Sequence, residues 1–141
     1  MLLGEHRQAI NGMGQVALPE QVLSELVGAF VVTRGFERNL ILFPEQEWRE
    51  LAGRLMSKPI SDHDVRTLRR RLFSDAVEVT VDADGRIKLP PSLREFAGIN
   101  GEVILVGMYD HVELWSVEQW SQILESVEAS SVSEQWDELG V

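Results

Sequence analysis

Apolar and polar residues alternate over residues 77–81 and again over 86–89, on the two sides of an Asp84-Gly85 step. Alternation of this kind is typical of strands with one buried face, and Asp-Gly fits the tight turn of a β-hairpin. Pro90 follows at once and suits the first turn of a helix, where no backbone N–H is required. The pattern therefore predicts a hairpin that leads directly into a short helix.

Hydrophobic periodicity predicts the other elements, with short apolar runs for strands and a three- to four-residue spacing for helices. The predicted strands cover residues 4–10, 16–18, 30–33, 40–43, 103–106 and 112–115. The predicted helices cover residues 19–27, 44–57, 61–73, 90–97 and 116–127. The residues from 130 onward are polar and acidic, and we expect them to be loose or weakly helical.

The helix starts and one apolar face carry more specific predictions. Ser61 is expected to cap the third helix, with Asp64 near the capping-box position, and Ser116 is expected to cap the last one. In the first helix the predicted apolar face consists of Val22, Leu23, Leu26 and Val27.

Three of the four tryptophans, Trp48, Trp115 and Trp120, lie on apolar faces of predicted elements. Large aromatic side chains in such positions contribute core or interface packing. Trp136 lies in the polar tail, where it either anchors the tail or is simply exposed.

The order of elements occurs twice along the chain, with a period near 71 residues. Aligning Gly14 with Gly85 also brings further residues into register, with a single one-residue shift: Leu18-Pro19 with Leu89-Pro90, Gly35 with Gly107, and Trp48 with Trp120. Each half alone is too small to bury its apolar face well. The repeat therefore predicts two similar halves packed together with pseudo-twofold symmetry.

The repeat also suggests domain boundaries. The first half is expected to cover residues 4–50 and the second 76–128, with a helical linker over 51–75 between them. Residues 129–141 form an acidic tail outside the repeat.

The net charge of −10 opposes strong attraction to nucleic acid, because DNA binding depends largely on cations that neutralise phosphates. The charge is uneven, however. Residues 116–141 contribute six carboxylates and no Lys or Arg, while four arginines lie within residues 66–71. A small basic surface can therefore exist on this acidic chain.

Composition narrows the class of protein further. A chain of 141 residues, of which 44% are hydrophobic and none is cysteine, is typical of a globular protein without disulfides or thiolate metal sites. It shows no signal peptide and no apolar run long enough to span a membrane, so we expect a cytoplasmic protein. The histidines lack metal-ligand spacing, and no nucleophile, phosphate-loop or dinucleotide motif is present. We expect neither an enzyme nor a cofactor, metal or small-molecule substrate.

Over about residues 1–128 the chain resembles the MraZ family. The second hairpin, Asp82-Ala83-Asp84-Gly85-Arg86 followed by Leu89-Pro90, matches the Asp-x-x-x-Arg turn and the apolar-Pro pair of that family. The N-terminal Gly4-Glu5-His6 matches as well, as do the segments 30–35, 44–48, 66–71 and 103–107.

The resemblance implies an α+β fold with two pseudo-twofold-related swapped-hairpin β-barrel halves and short helices, of the AbrB-like double-psi type. It also implies a bacterial, cytoplasmic and nucleoid-associated transcription regulator of the operon for cell division and cell-wall synthesis. Such regulators form ring-shaped homo-oligomers and bind repeated short DNA boxes through basic residues of their hairpins. Promoter DNA and further copies of the chain are therefore the expected partners.

The first half departs from the family pattern, because Asn11 and Gln15 stand where Asp and Arg are expected. Gln15 can still hydrogen-bond a base or a phosphate, but it releases no counterion. DNA contact is thus expected to depend on Arg86, with Asp82 holding its geometry. The candidate DNA-binding residues are Asp82, Arg86, Lys88, Gln15, Asn11 and Arg7, and Arg34 and Arg38 are further loop candidates.

These candidates also have structural interpretations. Asp82 and Arg86 can be a surface ion pair across the turn, worth under about 1 kcal/mol. The arginines of residues 66–71 can pair with local carboxylates such as Asp62, or contact a neighbouring subunit or DNA phosphate.

Two functions remain open from the sequence. The first is a sequence-specific DNA-binding regulator that assembles as a ring. The second is a protein-interaction module on the same fold that has lost DNA binding, which the missing Asp and Arg of the first half and the net charge of −10 favour.

Overall fold

The computed structural model describes residues 1–25 and 28–141, and this part of the chain forms eight strands and six helices. The strands are β1 (Leu2–Ala9), β2 (Gln15–Ala17), β3 (Phe30–Arg34), β4 (Leu40–Pro44), β5 (Val77–Val79), β6 (Arg86–Lys88), β7 (Glu102–Tyr109) and β8 (Val112–Trp115). The helices are α1 (Glu20–Glu25), α2 (Glu45–Met56), α3 (His63–Phe73), α4 (Pro91–Ala97), α5 (Val117–Ala129) and α6 (Ser133–Glu138). Leu26 and Val27, expected on the apolar face of α1, lie outside the described residues. All the strands and helices predicted from the hydrophobic pattern are found, and the tail contains the short helix α6.

Six strands form one antiparallel sheet in the order β1-β7-β8-β4-β3-β5. The two remaining strands of the described residues, β2 and β6, pair with each other, and we call this pair (residues 15–17 and 86–88) the ribbon. Within the large sheet β1 pairs with β7, β3 with β5, and β4 with β8, so the two halves of the chain build it jointly. If each strand is replaced by its equivalent in the other half (β1 by β5, β3 by β7, β4 by β8), the same strand order is obtained, read from the opposite edge of the sheet. The α+β class is confirmed.

The predicted hairpin of residues 77–89 is wrong in its strand pairing, although its turn is present. The N–H of Asp82 donates to the carbonyl of Arg86 at 2.9 Å and closes the turn. Beyond it the arms separate, since β5 pairs with β3 and β6 pairs with β2. The first half does the same: β1 pairs with β7, and a bridge between Ile10 and Val16 flanks the turn. Pairing across the halves is favoured because a two-stranded hairpin alone cannot bury its apolar face.

One apolar core joins the two halves and both sheets. Val16 and Ile87, the central residues of the ribbon strands, are 0% and 1% exposed. Leu105 and Leu114 of the large sheet and Leu93 of α4 belong to the same buried cluster. The ribbon is therefore anchored to the rest of the protein through its inner face.

Asp62, rather than Ser61, caps α3, so the predicted start of this helix is wrong by one residue. The Asp62 carboxylate accepts a hydrogen bond from the N–H of Asp64 at 2.8 Å. Asp and Ser are equally good caps, and Asp62 lies where the backbone is still extended. Ser116 caps α5 as predicted, accepting from the N–H of Gln119 at 3.1 Å.

The tryptophans of the repeat are packing residues, as predicted. Trp115 is 2% exposed and its ring lies 5.9 Å from that of Trp120. The corresponding pair in the first half, Phe43 and Trp48, has its ring centroids 5.7 Å apart. Of the two alternatives for Trp136, the structure favours exposure, since 52% of this residue of α6 is exposed.

Candidate nucleic-acid interface

The ribbon places four side chains on one outer surface. Three pairs of residues face one another across it, namely Gln15 with Lys88, Val16 with Ile87, and Ala17 with Arg86. Successive residues of a strand point to opposite faces, so the buried central pair leaves the other four on the outer face. Arg86 and Lys88 are exposed there, and Gln15 is half-buried. The ribbon therefore brings together Gln15, Arg86 and Lys88.

The turns that precede the two ribbon strands lie at opposite ends of the ribbon. The turn at residues 11–14 leads into Gln15, which faces Lys88. The turn at residues 82–85 leads into Arg86, which faces Ala17 at the other end of the ribbon. Each strand has three residues, so the ends are separated by about 7 Å along the strand direction. Each end thus carries a turn and a side chain that can donate hydrogen bonds.

Asp82 organises the second turn through the backbone rather than through the Arg86 side chain. Its Oδ1 accepts hydrogen bonds from the N–H of Asp84 at 2.9 Å and of Arg86 at 3.0 Å. Among residues 1–25 and 28–141, no ion pair joins Asp82 to the Arg86 guanidinium, so the predicted charge pair is wrong. An Asp at the start of a tight turn is well placed to accept nearby backbone N–H groups. This explains why the Asp82 carboxylate bonds to the backbone and not to the Arg86 guanidinium.

Asn11 makes the equivalent bonds in the first turn. Its Oδ1 accepts from the N–H of Met13 at 3.1 Å and of Gln15 at 2.9 Å. The exchange of Asp for Asn therefore preserves the turn, because both side chains offer the same acceptor oxygen. What the first half lacks is the cation, not the geometry.

The turn of each half is also bound by a strand end of the other half. The N–H of Leu89 donates to the carbonyl of Gly14 at 2.9 Å, and the N–H of Leu18 donates to the carbonyl of Gly85 at 3.0 Å. Gly14 and Gly85 have φ angles of 79° and 76°, in the left-handed region that favours glycine. These reciprocal bonds hold both turns in fixed positions relative to the ribbon.

Arg7 lies on β1, in the large sheet, and not on the ribbon. Its guanidinium donates two hydrogen bonds to the Glu102 carboxylate, from Nε at 2.6 Å and from Nη2 at 2.8 Å. The hydrogen bond and charge of Arg7 lower the pKa of Glu102, and Glu102 raises the pKa of Arg7. Its charge is therefore compensated, and the structure separates it from the other candidates.

Three of the four arginines of α3 donate hydrogen bonds to loop carbonyls. Arg66 donates to the carbonyls of Ile60 and Ser61, both at 3.0 Å, and not to the Asp62 carboxylate that the sequence suggested. Arg69 donates to the carbonyls of residues 56 and 58, and Arg71 to those of residues 35 and 36. Carbonyls left free where a chain turns are good partners for the several N–H groups of a guanidinium.

The loop candidates Arg34 and Arg38 gather around Phe96 of α4. Their guanidinium carbons lie 5.0 and 5.7 Å from the centre of its ring, and Arg34 also pairs with Asp75 at 2.7 Å. Neither residue belongs to the ribbon, so both remain apart from Arg86 and Lys88.

The ribbon and its second turn carry two cations and two carboxylates, and the half-buried guanidinium of Arg94 lies beside Gly14 in the first turn. Arg86 and Lys88 are its two cations, and Asp82 and Asp84 lie in the adjoining turn, all four being exposed. A surface of this kind supports short-range hydrogen bonds to a nucleic acid but only weak long-range attraction. Within the described residues there is no group of three or more potential metal ligands, and no helix is long and apolar enough to cross a lipid bilayer.

Sequence reasoning missed two features of this site. One is the acceptor role of Asn11, for which the signal was present, since Asn and Asp are interchangeable as acceptors in such turns. The other is the bond between the Asn11 Nδ2 and the Gln15 Oε1, at 2.9 Å. That bond needs the turn geometry, which brings the two side chains together.

Comparison with known proteins is consistent across the whole chain. The family model described as "MraZ protein, putative antitoxin-like" matches twice, over residues 1–71 and 72–139. The chain is similar to a Herpetosiphon aurantiacus protein named Transcriptional regulator MraZ, with 38% identity over all of both chains. A protein of the same name from Thermomicrobium roseum is 41% identical over 94% of each chain, and one from Roseiflexus castenholzii is 38% identical over 93% of this chain and 92% of its own.

Proposed function

Since the chain belongs to the MraZ protein family, we propose that it is a transcriptional regulator that binds promoter DNA through the outer face of the ribbon. The observation that carries the proposal is the position of Arg86 and Lys88, exposed on a ribbon whose inner face is buried. A two-stranded ribbon fits the major groove of DNA, where Arg is the commonest specific reader of guanine. Lys88 is suited to phosphate, and Gln15 to a base edge or a phosphate.

We propose that the bound DNA consists of repeated short boxes at the promoter of the cell division and cell-wall operon. Relatives named transcriptional regulators support the regulatory role, and a cytoplasmic, nucleoid-associated location follows from it. In fold terms we propose AbrB-like swapped-hairpin halves of the double-psi type at residues 4–50 and 76–128. The helical linker then covers 51–75, and the acidic tail 129–141 lies away from the DNA.

We further propose that several copies assemble as a ring. One subunit offers few cations to DNA, and linked subunits raise the effective concentration of each further contact. A ring closes when one surface of a subunit binds a different surface of the next. Among residues 1–25 and 28–141, two groups of exposed apolar side chains can serve in this way. One is near the N-terminal strand (Met1, Leu3, Met108, Tyr109) and the other is on the C-terminal helices (Leu124, Val127, Trp136, Leu139).

Replacing Val127 with lysine is expected to break the assembly into smaller species. Val127 is 63% exposed on α5, and a buried interface would have to accommodate an unpaired charge in its place. Sedimentation velocity measures the change, and Ser126→Lys is the control, because it adds the same charge to the neighbouring exposed position. Equal sedimentation of Val127→Lys and wild type would remove this helix from the proposed interface.

Salt titration of DNA binding tests the proposed function. The purified protein is expected to bind duplex DNA from upstream of its own gene, with an affinity that falls as salt rises, because cations released from phosphates favour the complex. Each subunit offers few cations to phosphates, so we expect a shallow slope of log affinity against log salt for each subunit. Absence of binding at low salt would reject the proposal.

A second candidate function is a protein-interaction module without DNA binding. It is favoured by Asn11 and Gln15 in place of Asp and Arg in the first half, and by the net charge of −10. The same titration separates the two, because this alternative predicts no DNA binding while the self-assembly remains intact.

A further inference from the structure

The Asn11 amide has a single orientation that satisfies its surroundings. Its Oδ1 accepts two backbone N–H groups, from Met13 at 3.1 Å and from Gln15 at 2.9 Å. Rotating the amide by half a turn would place an NH₂ group against these donors. Two backbone donors therefore determine which end of the amide is oxygen and leave Nδ2 facing the side chain of Gln15.

Asn11 in turn determines the orientation of Gln15. The Asn11 Nδ2 donates to the Gln15 Oε1 at 2.9 Å, and the reverse orientation of Gln15 would bring two NH₂ groups together. Within the described residues, the Gln15 Nε2 has no hydrogen-bond partner of its own. The end of this side chain that remains available on the ribbon is therefore a donor.

A donor end selects among base edges. A glutamine that is free to rotate presents an acceptor and a donor together and matches N6 and N7 of adenine. Gln15 presents chiefly N–H donors, as an arginine does, and these match the O6 and N7 acceptors of guanine.

We propose that Asn11 makes Gln15 a specificity-determining donor that prefers guanine to adenine in DNA bound to the ribbon. The inference rests on the proposed DNA binding and adds a base preference to it. Gln15 then donates hydrogen bonds to a base at one end of the ribbon, as Arg86 does at the other end, but Gln15 carries no charge. It also explains why Asn and Gln accompany each other here. An aspartate at position 11 would keep the turn, but its second oxygen would accept from Nε2 and turn the Gln15 Oε1 outward.

Asn11→Asp therefore tests the inference by reversing the Gln15 amide without removing any backbone bond of the turn. Selection from a randomised duplex library, followed by sequencing, measures the guanine-to-adenine ratio at each position of the bound site for the full-length protein. We expect the ratio at one position to fall by about tenfold in this variant. Gln15→Glu keeps the bond from Asn11 and removes the donors, so it is expected to lose the same preference.

Two controls separate this effect from charge and from the turn itself. Gly12→Asp adds the same negative charge in the same turn, at a position where a Cβ meets no atom within 4 Å. Met13→Asp adds the charge one residue further along the same turn, where the side chain is 62% exposed and only the backbone N–H bonds to Asn11. Both are expected to keep the wild-type ratio at the position in question.

The outcomes distinguish the inference from the function beneath it. Loss of the guanine preference in Asn11→Asp and Gln15→Glu, with both controls unchanged, supports it. Wild-type DNA binding with an unaltered ratio in Asn11→Asp overturns the inference and leaves the proposed function in place. If the wild-type protein binds no duplex in the library, both fail together.

Discussion

Replacing Gly14 with alanine is expected to lower the free energy of unfolding by about 2–4 kcal/mol. Gly14 has a φ of 79°, where any residue with a Cβ is strained. A Cβ there would also lie 2.8 Å from the carbonyl oxygen of Leu89 and 2.8 Å from the Arg94 Nε. The Arg94 Nε donates a hydrogen bond to this carbonyl oxygen at 3.0 Å, so neither atom moves freely. Relief of the clash would pull Leu89 away from the Gly14 carbonyl and loosen the bond between the halves.

Urea denaturation at one protein concentration measures the loss, because assembly makes apparent stability depend on concentration. Gly85→Ala is the matched variant in the other half. Its φ is 76°, but a Cβ would meet only the flexible Leu23 side chain, at 3.1 Å, so we expect a loss of about 1–2 kcal/mol. Gly12→Ala, in the same turn as Gly14 but with no atom near its Cβ, is expected to change stability by less than about 1 kcal/mol. Equal losses at Gly14 and Gly12 would show that the contact between the halves is not tight.

Replacing Arg86 with alanine is expected to weaken DNA binding by at least about tenfold, and to lower the slope of log affinity against log salt by about one for each contacting subunit. Arg86 is exposed on the outer face of the ribbon, and the turn before it holds its backbone through Asp82. Its equivalent in the first half, Gln15, carries no charge. The protein therefore has no second copy of this cation to compensate for the loss. Fluorescence anisotropy with labelled upstream duplex at several salt concentrations measures both quantities.

Arg7→Ala is the matched control, because it removes one positive charge from the same protein. Arg7 donates both of its short hydrogen bonds to Glu102 and lies on the large sheet. Its loss is expected to change DNA affinity by less than about threefold, the effect of a small change in long-range charge. Equal effects of the two substitutions would mean that net charge, and not the ribbon, governs binding. Unchanged affinity in Arg86→Ala would remove the ribbon from the DNA contact.

The local elements of this protein follow from its residue pattern, as three cases show. Pro90 and Gly98 bound α4, where the first provides the extended start and the second a left-handed end with φ of 66°. Ser116 caps α5 through a bond to a residue three positions later. Asp82 closes a turn over four residues. Each involves groups within a few positions of one another, so the residues themselves contain the necessary information.

The partners of the strands were not predictable in the same way. Alternation at residues 77–81 shows that a strand has one apolar face, but several strands offer the same kind of face. In the folded chain β5 pairs with β3 and β6 with β2, because this arrangement buries Val16 and Ile87 in a core that neither half forms alone. The hairpin interpretation failed for that reason, while the turn within it was correct.

The sequence by itself determined the repeat and the family. It also determined the different chemistry of the two turns, which carry Asn11 and Gln15 in the first half and Asp82 and Arg86 in the second. Only the tertiary structure decided which cations are available. Arg7, Arg66 and Arg71 are engaged by groups that lie far away in sequence or in loops, whereas Arg86 and Lys88 emerge on the ribbon. The physical reason is that side-chain type and turn chemistry are local properties. Charge compensation and strand pairing depend instead on which distant groups the common core brings into contact.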